Sequence, residues 1–585
     1  MKFGFWVLAF TLSSTSAWAL PKRLVLALDG VGYSDVHALQ QEGYFSNFNP
    51  VSRSIATYPS LSDVCWADIF RTYRPLGYQR YHYSVEANRI IGGALSDLGN
   101  PIEYEKRMHL AFESKIHHGL SYMFPLREGK KEIRKVVQGL LNSKEEGTFY
   151  AYMLSTDTLQ HTNGDIKVLL KHIQAELNAL QAEYQKRAHR PLEIAIVSDH
   201  GNNKQNHGVR VPFKERLAEK GFQVTEKIRA DNDVVFTSAG ILTSVSIFAR
   251  SSQLKSLSSI LLGMVGVDLV TSVSLTDRFS ISVQNSKGES AWIQKKPDFL
   301  SYAYAPEQGD PLSYLSVIEK MAFDGKIDAE GFATAEDWLS YTAEHYYPVA
   351  PERIYRGHYL VAGNVAPMIV SLKQGYENAY EAVKRLSELK GRGGTHGALS
   401  IADSSGILMT NYIATSHTTT NHVADILDFS DLPDYRDRIP GVELIDSQIV
   451  GYDLKTGAPI EEDDPLGPEH AVFFNIWDPS AAEFLKMGIS TQYEVTVKKD
   501  GFSFFNPKVP VLQKVFYAET LPRTPNFTEF RIPVSTVLGQ LEAEQDYFTR
   551  INARRMDLRT GRLLQKERIA KHQFTTDSDG HAIAY

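Results

Sequence analysis

Three short apolar runs mark the N-terminal part of the chain. Residues 24–28 lead into Asp29-Gly30, residues 149–154 into Ser155-Thr156-Asp157, and residues 192–197 into Ser198-Asp199-His200-Gly201. Largely apolar runs of this length, bounded by turn residues, read as strands buried on both faces, the pattern of a parallel sheet. Stretches with helical periodicity separate them, for example 131–141 and 166–185. Together they predict an α/β domain whose central, mainly parallel sheet is flanked by helices. Ligands bind outside the carboxyl ends of such strands. Each of the three runs puts an aspartate there.

Beyond Gly201 the alternation loses its regularity. Residues 203–390 mix short elements, such as 233–236 and 244–249, with a Tyr/Pro-rich portion at 302–311, and predict an insertion or cap on the α/β core. Gly391-Arg392-Gly393-Gly394 then leads into Thr395-His396-Gly397 and a strand-like 406–410. Past about residue 413 the alternating stretches 493–498, 511–518 and 530–533 predict a β-rich C-terminal module. The expected division is a core of 20–202 and 391–414, an insertion of 203–390 and a module of 415–585. No internal repeat or low-complexity tract interrupts it.

Composition narrows the class. The 585 residues are 43% hydrophobic and 22% charged, with 62 Lys+Arg against 69 Asp+Glu, values of a folded chain with room for several cores. The mild acidity and lack of a Lys/Arg run argue against a partner held through phosphate backbones, and no nucleic-acid-binding surface is evident. Residues 1–19 read as an export leader: Lys2, an apolar stretch at 5–12, and Ala17-Trp18-Ala19 as a small-x-small cleavage site, so the mature chain is expected to begin at Leu20. A membrane anchor is the alternative, but the apolar stretch is too short to span a bilayer, and no later segment is long enough. The single cysteine, Cys65, allows no intrachain disulfide and lies far from the cleavage site. A periplasmic or secreted bacterial protein is the expectation.

The candidate chemistry sits at the strand ends. Asp157 and His161 are four apart, so a loop or opening helical turn can aim both at one cation; a capping Asp beside a surface His is the plain alternative. Asp199-His200 is a second oxygen–nitrogen pair, and Asp29 could simply open a turn with Gly30. In combination they say more. Three aspartates on one edge of a sheet repel unless cations neutralise them, and imidazole with carboxylate suits zinc, with manganese or a similar divalent ion next. Glycines after Asp29 and after His200 let the backbone come close to a ligand.

The order Asp29, a Ser-containing segment, Asp157-x-x-x-His161, Ser198-Asp199-His200-Gly201 and Thr395-His396-Gly397 resembles the alkaline phosphatase superfamily, and most closely its type I phosphodiesterase/nucleotide pyrophosphatase branch. The similarity covers roughly 22–201 and 391–412. It implies an alkaline-phosphatase-like core and two divalent metals, zinc as first choice and manganese as second. One would be held by Asp29, Asp199, His200 and the nucleophile Ser62, the other by Asp157, His161 and His396. Matching from Pro59 puts the attacking hydroxyl at Ser62, with Ser60 as the fallback. A serine opening a helix also faces the positive end of its dipole, although a mere N-cap role would look the same. The sequence departs from the family after the nucleophile, where Asp63-Val64-Cys65-Trp66 stands, and the usual phosphate-binding Asn is missing, Asn88 being the nearest amide. Tyr78-Gln79-Arg80-Tyr81-His82-Tyr83 could supply donors or simply pack. His207 rivals His396. Cys65 does not lie in a sulfatase motif and reads as a small buried hydrophobe. The resemblance implies hydrolysis of a small-molecule phosphate ester or nucleotide. Diester against monoester, the oligomeric state and the module's role stay open, and a non-catalytic exported binding protein that retains the metal site is the other class.

Overall fold

The computed structural model describes residues 20–432 except 86, 93–102, 113–114, 206–207, 238–239, 275–279, 297–300 and 380–392, and beyond 432 Asp478 and the C-terminal strands. The expected leader and His207 lie outside the described residues.

The central sheet has six strands: β1 (Arg23–Leu28), β2 (Ser52–Ile55), β3 (Thr148–Met153), β4 (Glu193–Val197), β5 (Ser405–Thr410) and β6 (Thr418–Thr419), in the order β6-β2-β5-β4-β1-β3. The three predicted strands are side by side and parallel: Leu28 faces Met153 across one pair, and Ala27 faces Val197 across the other. Strand β5 runs antiparallel to both β4 and β2, while β2 and β6 pair in parallel. The sheet is therefore mainly parallel, with one reversed strand near its middle.

Two-residue periodicity divides the apolar runs between the two faces. Leu24, Leu26 and Leu28 join Phe149, Met153, Ile194 and Ile196 in a core. It is closed by helices α1 (Tyr33–Gln41), α3 (Pro125–Asn142) and α5 (Ile166–Ala188), through residues such as Val36, Ile133, Leu140, Ile173 and Leu177. Val25, Ala27, Tyr150, Tyr152 and Leu408 face the other way, onto Trp66, Ile69 and Phe70 of α2 (Ser62–Ile69) and its C-terminal end. Both faces are covered, which is why the strands need no polar alternation.

The short α4 (Ser155–His161) follows β3 directly. Residues 223–372 build a nine-stranded sheet, antiparallel except where Gln223–Val224 meets Asp233–Thr237. Helix α6 (Ala350–Tyr359) is almost wholly buried. Its Ile354 and Tyr355 share one core with Ile55, Tyr58, Leu61 and Val64 of the α/β part and with Ile281, Val283 and Ile293 of the large sheet. The C-terminal part holds a three-stranded and a five-stranded sheet, including Ile489–Lys499, Pro510–Tyr517 and Glu529–Pro533 where alternating stretches predicted strands. Among the described residues no helix is long and apolar enough to cross a membrane.

Candidate metal centre

Because β4, β1 and β3 are parallel neighbours, their carboxyl ends open on one edge. Asp29 leaves β1, Asp199 and His200 leave β4, and Asp157 lies in the first turn of α4 after β3. His161 is one turn on from Asp157 along α4, on the same helix face. His396 comes from the segment that bridges to Asn203 and Leu242. All six side chains are buried, while Ser62 is half-buried.

Two groups of ligating atoms form, each within 4.8 Å: Asp29, Asp199 and His200, and Asp157, His200 and His396. His200 stands between them, its ring stacked on that of His396 with centroids 3.8 Å apart. His161 reaches Asp157 with Nε2 3.2 Å from Oδ2. Ser62 Oγ lies 3.3 Å from Asp29 Oδ1 and 3.1 Å from His200 Nε2. Leu61, not Ser62, occupies the N-cap of α2, so the hydroxyl is turned to this cluster instead of the helix's own N–H groups.

Backbone carbonyls fix all three imidazoles. His161 Nδ1 contacts Gly394 O at 3.0 Å, His200 Nδ1 contacts Gly201 O at 2.8 Å, and His396 Nδ1 contacts Ser60 O at 2.8 Å. A carbonyl only accepts, so each Nδ1 carries a hydrogen, which leaves Nε2 of each ring as the atom able to offer a lone pair to a cation. Asp199 Oδ1 accepts from the Gly30 N–H at 3.0 Å, whereas Asp199 Oδ2 and Asp157 Oδ1 are buried without a hydrogen-bond partner.

This is an acceptor-rich, donor-poor cluster. Around Ser62, one hydroxyl proton faces both Asp29 and a histidine lone pair; around Asp157, lone pairs converge on a carboxylate. Such an arrangement is costly unless cations fill it, and the residues present fit divalent metals of the zinc or manganese kind. The proton affinities of the ion-free centre show the same tension. Burial works against ionisation of Asp157, but His161, His396 and His200 outweigh it and hold the carboxyl below its usual range. Burial likewise disfavours a charged His161, and Asp157 outweighs it and pushes the imidazole up. Asp199 is pushed up by burial. His396 is pushed well down by burial and by His200.

Other positions have different roles. Ser60 Oγ points away from the cluster, to Thr57 O at 3.2 Å and Ala398 O at 3.0 Å, so the fallback nucleophile is a structural hydroxyl. The Asn88 amide is spent on both backbone groups of Ile228, at 2.8 Å each. Tyr83 donates to Asn88 at 2.6 Å and Tyr78 to Gly357 O at 2.7 Å, which is packing. Cys65 is buried and its thiol is pushed up by that burial. Gly30, at φ +65°, leaves room for Asp157, whose Oδ1 would lie 2.6 Å from an added Cβ. At Gly201 the close neighbour is the chain itself, with Ala402 O 2.4 Å from such a Cβ.

Sequence reasoning missed two supporting side chains. Tyr152, on β3, donates its hydroxyl to Asp29 Oδ2. Glu132, on α3, accepts from Ser155 N at 3.1 Å and Ser155 Oγ at 2.7 Å, pinning the start of the helix that carries Asp157 and His161. A phenol inside a strand covered on both faces is a signal in itself, because a buried hydroxyl needs a partner.

No family model and no curated protein matches the chain. Among solved structures it is similar to human ectonucleotide pyrophosphatase/phosphodiesterase 5, at 13% identity and a TM-score of 0.38, over 70% of this chain and 95% of that chain.

Proposed function

We propose that this chain is an exported, metal-dependent hydrolase of phosphoric esters, with Ser62 as nucleophile and a diester or nucleotide pyrophosphate as the favoured substrate class. The observation that carries the reading is the half-buried Ser62 hydroxyl set against Asp29 and His200 at the rim of a buried Asp/His cluster. Asp29, Asp199, His200 and Ser62 would hold one divalent cation, and Asp157, His161 and His396 the other. When bound, such a pair lowers the proton affinity of the serine hydroxyl and offsets charge gathering on the phosphoryl oxygens.

The chain's own part is positional. Ser62 Oγ gives up its proton to solvent and forms an Oγ–P bond while the bond from phosphorus to the leaving oxygen breaks; that oxygen takes a proton from water. A second water then attacks phosphorus, the Oγ–P bond breaks, and the hydroxyl is restored. The sheet-edge aspartates and carbonyl-anchored histidines keep their geometry through both steps, so little reorganisation is needed. The leader motif at residues 1–19 supports the exported location, periplasmic or secreted.

The test compares bis-(p-nitrophenyl) phosphate with p-nitrophenyl phosphate on the zinc-loaded mature chain, with a chelator control. Faster turnover of the diester is expected, and preference for the monoester would make the chain a phosphatase. Ser62→Ala is expected to lower turnover by about a thousandfold or more with the fold kept. Wild-type turnover by that variant would remove Ser62 as nucleophile.

A further inference from the structure

The turn that carries the nucleophile is held from behind by one buried cation. Arg353, on α6, is 2% exposed. Its Nε donates to Ala56 O at 2.7 Å, and one terminal nitrogen donates to Pro348 O at 2.9 Å and Leu399 O at 3.0 Å. The other terminal nitrogen donates to Ser404 Oγ at 2.5 Å and Ser60 Oγ at 3.2 Å, with Thr57 O at 3.5 Å. All five N–H donors thus meet neutral oxygens. No carboxylate is among these acceptors, so the group is not half of a salt bridge but a hub for the segments 56–60 and 399–404.

These segments converge on the centre. Ser60 O takes the His396 Nδ1 hydrogen bond at 2.8 Å, and Ser60 N donates to Gly397 O at 3.1 Å. Two residues later, Ser62 Oγ meets Asp29 and His200. A single turn therefore orients the nucleophile beside one group of ligands and His396 within the other. Arg353 grips that turn at three of its residues: Ala56, Thr57 and Ser60.

We propose that Arg353 is the positioning residue of this centre: through Ser60 it sets the Ser62 hydroxyl and the His396 imidazole together, coupling the two cation sites. It touches neither the substrate nor a ligating atom. The inference rests on the reading of the site as a metal-dependent hydrolase. Lysine, with a compact ammonium and no planar fork, cannot reproduce the six contacts. Partners that orient a ligand in this way are worth about 10- to 100-fold in metal affinity.

The experiment titrates the metal-free mature chain with Zn2+ by calorimetry and follows steady-state turnover, for wild type, Arg353→Lys, Ser60→Ala and Arg356→Lys. The last is the structural control, because Arg356 lies on the same helix but bonds Asp68 on α2 at 2.8 Å. Expected for Arg353→Lys and Ser60→Ala is binding of the second equivalent weakened by about tenfold or more. Their kcat should fall by a similar factor while KM stays within about threefold. Arg356→Lys should melt earlier with its titration unchanged. If Arg353→Lys behaves as Arg356→Lys does, the positioning role is overturned. Should Arg353→Lys fail to fold, Ser60→Ala decides, since it deletes one buried hydroxyl and nothing else; wild-type titration and kcat in that variant overturn the proposal. A wild type that takes up no ion overturns this inference together with the hydrolase reading. A wild type that takes up two, matched by its variants, overturns this inference alone.

Discussion

Asp29 divides its two oxygens between different tasks. Oδ1 faces Ser62 and His200, and Oδ2 accepts the Tyr152 hydroxyl. The phenol fixes which oxygen is offered to a cation, so Tyr152→Phe is expected to weaken metal binding by about tenfold while leaving the fold intact; unchanged affinity in a metal-competition titration would refute that role. His161 sets the acid limit of the centre. Its proton affinity is raised by Asp157 above the ordinary imidazole value of 6.5, whereas His396 is held well below it. A protonated imidazole cannot ligate. If this group holds a cation as proposed, its apparent affinity is therefore highest above the raised His161 value and weakens as pH falls through it, beginning on the alkaline side of 6.5. Equal apparent affinity in titrations at about pH 8 and about pH 6 would contradict this. The clustered Asp and His side chains were legible in the sequence as candidate ligands because each lies at a strand end or in a local motif. Their anchors were not, because Ser60, Gly201 and Gly394 act through backbone carbonyls, which every residue possesses and no pattern marks.

The turn from β4 into the Asp199-His200 segment depends on β5 and the residues just before it. Gly201 N donates to Asp403 O at 3.0 Å, and a Cβ at Gly201 would lie 2.4 Å from Ala402 O and 2.9 Å from Ser405 O. Backbone cannot yield as a flexible side chain does. Gly201→Ala is expected to cost about 1–3 kcal/mol in a denaturant titration and to displace His200; a wild-type midpoint with intact metal affinity would rule this out. At this scale the sequence foretold β1, β3 and β4, because a run buried on both faces has a distinct composition, and it marked 406–410 as strand-like. It did not foretell that β5 would run backwards between β4 and β2. Strand order and direction are fixed by which edges meet in three dimensions, and a six-residue apolar strand carries no direction of its own.

The residues expected to form a cap share a core with the α/β part. Helix α6 lends Ile354 and Tyr355 to the core that holds Tyr58, Leu61 and Val64, and Arg356 bonds Asp68 on α2. Deleting 203–390 would expose that core, and the remainder is expected to lose cooperative unfolding and bind a hydrophobic dye; a soluble fragment with a sharp thermal transition would disprove this. The irregular sequence of that region hid the nine-stranded sheet, whose short strands are interrupted by turns and whose two halves are joined only by Met368–Leu372, paired with Ser244–Phe248 and Val267–Val273 far back along the chain. Strand β5 has a last consequence, which concerns time. Among the described residues β2 pairs with β6 on one side and β5 on the other, and in the sheet only β5 joins that pair to β4, β1 and β3. A ribosome must therefore synthesise the chain past residue 410 before β2 can be hydrogen-bonded into one sheet with β1 and β4. Contacts so distant along the chain form late and slowly. During synthesis the sheet that carries Asp29 and Asp199 thus waits for the strand that lets β2 dock into it.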